Sequence, residues 1–274
     1  MAPLPDRVLA FDGVLPRKMI AGSDGGLYKY RIETDDWVQL QGSTCIRYSG
    51  PGARGCAINK DVFLIIGDSL GICINLPPTK NFNPNNTSNH EDSGTIALPL
   101  LASCWAKFPD GFQTDFLEHH TITKVACNNV MVVGGWINNS VSNRVFQGKL
   151  EVHTNDLIWT ELKPLRTARM SHITFKMKDD VYVAGGYGTD GRLLCCECNN
   201  IKENEWHKHK YSLPCPLANA SVVVSDDETF AVITGGTTQW REWKRVIIFT
   251  EQTGFELMTR KLLNTKSSHV SILL

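Results

Sequence analysis

Apolar residues along this chain recur in short runs and in alternations of period two, and no segment carries the 3.6-residue spacing of a persuasive amphipathic helix. The clearest run is Val181-Tyr-Val-Ala-Gly-Gly186, which stops on two glycines. Such a run predicts a short buried strand that ends where the backbone turns tightly.

The same pattern returns through the sequence. Met19-Ile-Ala-Gly22 precedes Leu27–Ile32 and Trp37, and Val62-Phe-Leu-Ile-Ile-Gly67 precedes Gly71–Asn75. Val130-Met-Val-Val-Gly-Gly135 precedes Val145–Val152 and Trp159, and the Val181 run precedes Leu193–Cys198 and Trp206. Phe230-Ala-Val-Ile-Thr-Gly-Gly236 precedes Lys244–Phe249 and Phe255. Aligned on their last glycine, Gly22, Gly67, Gly135, Gly186 and Gly236, the units step by 45, 68, 51 and 50 residues. Upstream of the glycines lies a further strand in three units: Ile122-Thr-Lys-Val-Ala, Ile173-Thr-Phe-Lys-Met and Ser221-Val-Val-Val. Each unit therefore predicts four antiparallel strands, the last carrying tryptophan or phenylalanine.

A four-stranded sheet cannot bury both of its faces alone; stacked radially on sheets like itself it does, and the ring protects its edges. The glycines let the inner part of each sheet turn where neighbours converge, and the aromatic fills the wedge further out. A β-sandwich with glycine turns accounts for the strands, but not for the regular order from Gly-Gly to aromatic. The reading is one all-β domain over 1–274, with units at roughly 6–45, 46–108, 117–165, 169–213 and 217–260. The long step is explained by 77–97, rich in Asn, Pro, Ser and Thr, which reads as an inserted surface loop.

Composition narrows the function classes. Lys+Arg and Asp+Glu both number 28, so no net field draws the chain to nucleic acid or an anionic membrane. No window approaches eighteen uninterrupted apolar residues, and Met1–Arg7 lacks the basic and apolar regions of a signal peptide. Nine cysteines, an odd number at irregular spacings, point to free thiols and a reducing, cytoplasmic setting. The sequons at Asn85, Asn138 and Asn219 would mark surface loops only if the chain were secreted.

The order Arg, His, apolar strand, Gly-Gly, third strand, polar turn and Trp resembles the kelch repeat. Two units carry it best, through Gly134-Gly135, Asn155-Asp156 and Trp159, and through Arg169, His172, Gly185-Gly186 and Trp206. The unit ending in Gly235-Gly236 has Phe255 for Trp, and the first two units keep one glycine each, Gly22 and Gly67. Steps of 45, 51 and 50 sit near the ~50 residues of that repeat. The resemblance covers nearly the whole chain and implies a kelch-type β-propeller with five recognisable four-stranded blades. The tail Lys266-Ser-Ser-His269-Val270 matches Arg169-Met-Ser-His172-Ile173. It therefore starts an incomplete sixth unit, supplies a closing strand for the first blade over 266–274, or continues in a longer parent chain.

Candidate chemistry is sparse. Cys195-Cys196-Glu-Cys198 puts Cys196 and Cys198 on one face of a strand. No second pair stands at the spacing of a structural zinc site, although His207 and His209 follow, so packing cysteines are expected and no metal or cofactor. His119-His120 and His207-Lys-His209 read as structural or solvated histidines. No hydrolase elbow, zincin or P-loop motif appears, and Gly22–Gly26 is turn chemistry with no helix after it. No catalytic residue is assigned.

The loops after the glycines carry more information. They hold Trp136, Tyr187, Trp240 and Trp243, with Arg144, Arg192 and Arg241 in or beside them. Tyr, Trp and Arg are the residues enriched at interface hot spots. By resemblance Arg169, Ser171, Asn219 and Ser221 reach the same face, where kelch proteins receive peptides or other protein segments. The resemblance implies a non-enzymatic binding propeller, foremost a substrate-recognition module of the sort used with cullin ubiquitin ligases. No BTB or BACK domain precedes the repeats, so cullin contact would need another chain or a longer parent. Actin association is the alternative on fold analogy alone. A metal-dependent propeller enzyme ranks behind both, because no nucleophile–base pair or metal quartet is present to support it.

Overall fold

A computed structural model describes residues 8–11, 19–21, 27–31, 36–40, 54–57, 62–67, 70–75, 117–151, 154, 156–239, 241–262 and 270–273. The inserted stretch 77–97 and the turn at 22–26 lie outside the described residues. Among the described residues every regular element is a strand.

The chain opens with β1 (Val8–Phe11), followed by β2 (Met19–Ala21), β3 (Leu27–Arg31) and β4 (Asp36–Leu40), which pair in that order. A second antiparallel sheet follows as β5 (Arg54–Ala57), β6 (Val62–Gly67) and β7 (Leu70–Asn75). The third unit begins with β8 (Leu117–Glu118), β9 (Thr121–Ala126) and β10 (Asn129–Val133). It continues through β11 (Trp136–Ile137), β12 (Ser140–Val141), β13 (Val145–Glu151) and β14 (Asp156–Leu162). Here β9, β10, β13 and β14 make a four-stranded meander, while β8, β11 and β12 form a small sheet at its end.

The next unit repeats the plan with β15 (Ile173–Met177), β16 (Asp180–Ala184), β17 (Tyr187–Gly188), β18 (Gly191–Arg192), β19 (Cys196–Asn200) and β20 (Trp206–Lys208). The last four-stranded meander is β21 (Ser221–Val224), β22 (Ala231–Thr234), β23 (Arg245–Thr250) and β24 (Gly254–Lys261). Finally β25 (Val270–Leu273) pairs antiparallel with β1, Val8 opposite Leu273, so strands from the two ends of the chain share a sheet. First strands of successive sheets are neighbours in the order β5, β9, β15, β21 and β25.

Continuous apolar runs arise because the second strands are buried on both faces. With side chains alternating, Val130 and Val132 of β10 join one core cluster while Met131 and Val133 join another with Val181 and Val183 of β16. On the other face of β16, Tyr182 and Ala184 pack with Ala231 and Ile233 of β22. Three sheets are thus cemented by two shared cores, and the third unit's outer face packs with Cys56 of β5.

The aromatics of the last strands pack on the cores. Trp206 sits in the core between the third and fourth units, and its indole N–H donates to the carbonyl of Lys163 at 3.1 Å. Trp159 covers Gly148, where a Cβ would come 2.8 Å from the indole ring. Phe255 packs on Phe249 with ring centroids 4.6 Å apart.

The glycine pairs share one conformation. Gly185 and Gly186 have φ of 67° and 90°, Gly134 and Gly135 58° and 102°, Gly235 and Gly236 59° and 97°. A Cβ on Gly185 would collide with the carbonyl of Leu217 in the next unit, and one on Gly186 would stand 2.5 Å from the carbonyl of Met170 in its own. One glycine lets sheets meet and the other lets the strand double back. The third strand of the fourth unit begins at Cys196, three residues later than the apolar run from Leu193 predicts. The reason is that Leu193 N donates to Gly186 O and Gly185 N to Cys195 O, which holds 193–195 as a connection and not as ladder.

Candidate functional site

Beyond each glycine pair the chain builds the same small turn. Trp136 pairs with Glu118 and Val141, Tyr187 with Met170 and Arg192, and Thr237 with Ala218 and Glu242. Trp136, Tyr187 and Thr237 therefore occupy one position in three units, all half-buried and at one end of the sheets.

Next to them His119, Ser171 and Asn219 hold φ of 54°, 52° and 56°, a left-handed backbone at the residue after Glu118, Met170 and Ala218. The N–H of Asn219 donates to Ser171 O at 2.9 Å, and that of Ser171 to His119 O at 2.8 Å. Backbone hydrogen bonds thus run from unit to unit across this end, and the strained φ is what aims each N–H at the preceding unit.

Arg192 belongs to the Tyr187 turn. Its Nη2 donates to the Tyr187 hydroxyl at 2.5 Å, and its guanidinium lies 4.6 Å from the ring centroid. The pair is a preformed aromatic and cationic surface of the kind that anchors interfaces. Arg144 is turned towards its own sheet: Nε and Nη2 donate to the two carboxylate oxygens of Glu161 at 2.8 and 3.1 Å, and the group stands over Phe146. Hydrogen bonding from Arg144 holds the Glu161 carboxyl below the usual carboxylate range. Asn219 is half-buried with its amide 3.4 Å from the Thr237 hydroxyl, and Arg241 is exposed. Trp240 lies outside the described residues.

Three sequence expectations need correction. Arg169 is fully buried, so its side chain cannot reach a partner. Its Nη2 donates to Glu197 at 2.6 Å and its Nη1 to Gly185 O at 3.0 Å. Leu117, Arg169 and Leu217 precede the equivalent residues Glu118, Met170 and Ala218, and that position faces inward in all three units. Ser221 is buried inside β21, and Ser171 is only 7% exposed, offering little beyond its backbone. Trp243 packs against the core cluster shared by the last two four-stranded sheets.

Glu197 was missed as a partner of Arg169. It also accepts from the N–H groups of Arg166 and Thr167 at 2.7 and 3.1 Å. The available signal was an acid in the third strand, where Phe146 and Ile247 stand in the neighbouring units.

The histidines are interior groups. His120 is fully buried and its pKa is pushed down to about 3, first by desolvation and then by the charge of Arg54. His172 is held well below its ordinary value by desolvation and then by Arg169. Its Nε2 lies 2.9 Å from the Thr121 hydroxyl, which is 2.6 Å from that of Thr174. His207 is exposed, and His209 is half-buried with its ring edge-on to Tyr182. Cys196 and Cys198 pack on the same cluster, where burial pushes both thiols up. Among the described residues, no group of three His, Cys, Asp or Glu is placed to hold a metal, and no helix is long and apolar enough to cross a membrane.

What this end of the molecule presents is stacking area and hydrogen-bond donors on rigid turns. No protein-family model matches the chain, and no curated protein matches it.

Proposed function

We propose that the chain is a kelch-type β-propeller that binds a segment of another protein on the face carrying Trp136, Tyr187 and Arg192. The observation that carries this reading is the equivalence of Trp136 and Tyr187 on successive turns, with Arg192 held against Tyr187. Fixed aromatics and an oriented guanidinium lose little freedom on binding, which is the property of interface anchors. The propeller reading is supported by the repeated four-stranded meanders, the neighbouring first strands and the pairing of β1 with β25. Cys56, Cys127, Cys195, Cys196, Cys198 and Cys215 are free thiols, which favours a cytoplasmic setting. The role proposed is substrate recognition, with the ubiquitin-ligase machinery recruited through another chain or a further segment.

The test is capture of proteins from a cytoplasmic extract on the immobilised chain, followed by identification. Specific partners should be retained by the wild type and by Lys202→Ala, whose side chain is exposed and pairs with Asp179 in a turn at the opposite end of the strands. They should be lost from Trp136→Ala and Tyr187→Ala. Capture that survives both aromatic changes would sink the proposal, and direct co-sedimentation with purified actin filaments would replace substrate recognition with a cytoskeletal role.

A further inference from the structure

At the opposite end of the first strands, β9, β15 and β21 line a cavity of about 550 Å³. That volume is within the range of about 300–1,000 Å³ typical of small-molecule sites. Each of these strands hydrogen-bonds within its sheet to one neighbour only, β10, β16 or β22. Ile122, Val222 and Val224 supply apolar wall. Lys124, Lys176 and Val224 hold equivalent register positions, opposite Val130, Val181 and Ala231.

The two lysines differ in charge balance. Lys176 donates to both carboxylate oxygens of Glu228 at 3.0 and 3.1 Å, so its charge is matched. The residue of the fourth unit that corresponds to Glu228 is Lys178, which shares its left-handed turn conformation. Lys124 therefore meets no such acid, and among the described residues it has no carboxylate partner. A carboxylate near Lys124 would be drawn in.

We propose that this cavity binds a small monocarboxylate with an apolar body, its carboxylate at Lys124 and its body against Ile122, Val222 and Val224. The site is independent of the Trp136 and Tyr187 face. Calorimetric titration of the full chain with sodium octanoate tests it, with octylammonium as the charge-reversed control and Lys124→Gln and Val222→Trp as variants. The expected result is saturable one-site binding of octanoate, weakened at least tenfold in Lys124→Gln and abolished in Val222→Trp, with no binding of octylammonium. The absence of saturable octanoate binding, equal affinity in Lys124→Gln, or equal affinity for octylammonium would each overturn it; Lys124→Gln, exposed at the rim, decides the matter even if Val222→Trp does not fold.

Discussion

Arg169 and Glu197 form an ion pair at 2.6 Å with side chains 0% and 2% exposed. The adjoining units place Leu117 with Phe146 and Leu217 with Ile247 in the same core positions. One unit of the series has exchanged an apolar contact for a buried charge pair, while the backbone around it is unchanged.

Breaking that pair on one side should cost far more than replacing it whole. Arg169→Leu leaves the Glu197 carboxylate buried with only two backbone donors, a loss of about 3–5 kcal/mol. The double change Arg169→Leu with Glu197→Phe copies the third unit and should recover at least half of that loss. It should not recover all of it, because the N–H groups of Arg166 and Thr167 lose their acceptor. Urea unfolding of the wild type and both variants measures this; a double variant less stable than Arg169→Leu would show that the site cannot accept the apolar pair.

The ion pair also shows what the sequence could reveal. The Gly-Gly repeat made strands β10, β16 and β22 legible, because two-sided burial leaves an unbroken apolar run. Trp206 and Phe255 were legible as core aromatics because an aromatic follows each glycine pair by about twenty residues, and both pack on the cores. The loop-end residues were harder. Arg169 and Arg144 both read as surface cations by type and spacing, yet one is buried against an acid 28 residues away and the other is clasped by Glu161. Pairing of that kind depends on strand register, which composition does not encode. Tyr187 with Arg192 lies on a turn of a few residues, short enough for spacing alone to bring them together.

Gly185 and Gly191 separate two reasons for being glycine. Both have positive φ, 67° and 127°, but a Cβ on Gly185 meets Leu217 backbone and one on Gly191 meets nothing within 4 Å. Gly191→Ala should therefore pay only backbone strain, about 1–3 kcal/mol. Gly185→Ala adds a clash between two sheets that neither backbone can relieve without moving the other, and should exceed 4 kcal/mol by an order-of-magnitude reckoning. Thermal unfolding of the two variants should rank them in this order, and equal melting temperatures would refute the close approach.

Trp206 joins packing to a hydrogen bond. Trp206→Phe keeps most of the ring contacts but leaves Lys163 O without its indole donor, a loss of about 1–2 kcal/mol. Trp206→Ala empties the wedge against Val133 and Val183 and should cost about 3–5 kcal/mol. Denaturant unfolding distinguishes the two; a phenylalanine variant as damaged as the alanine variant would mean that the bond outweighs the packing.

The buried imidazoles make stability depend on acidity. His120 in the folded chain binds a proton only near pH 3, whereas the unfolded chain binds it near the ordinary value of 6.5. His172 is depressed in the same direction. Between those limits the unfolded state carries more protons, so stability is full above pH 6.5 and falls as the pH is lowered. Each such histidine contributes a slope of about 1.4 kcal/mol per pH unit. The half-buried His119 and His209 are shifted the same way and add smaller amounts. Ordinary carboxylates titrate mainly below about pH 4.5, so the interval from pH 6.5 to 5 isolates the histidines. His120→Ala should flatten the dependence there, since Ala220 already fills the equivalent place against Gly236. Urea unfolding at pH 7, 6 and 5 should show the wild type losing stability steadily and His120→Ala losing distinctly less. A wild type equally stable at pH 7 and 5 would mean that His120 and His172 accept protons while folded, which the cost of charging a buried ring opposes.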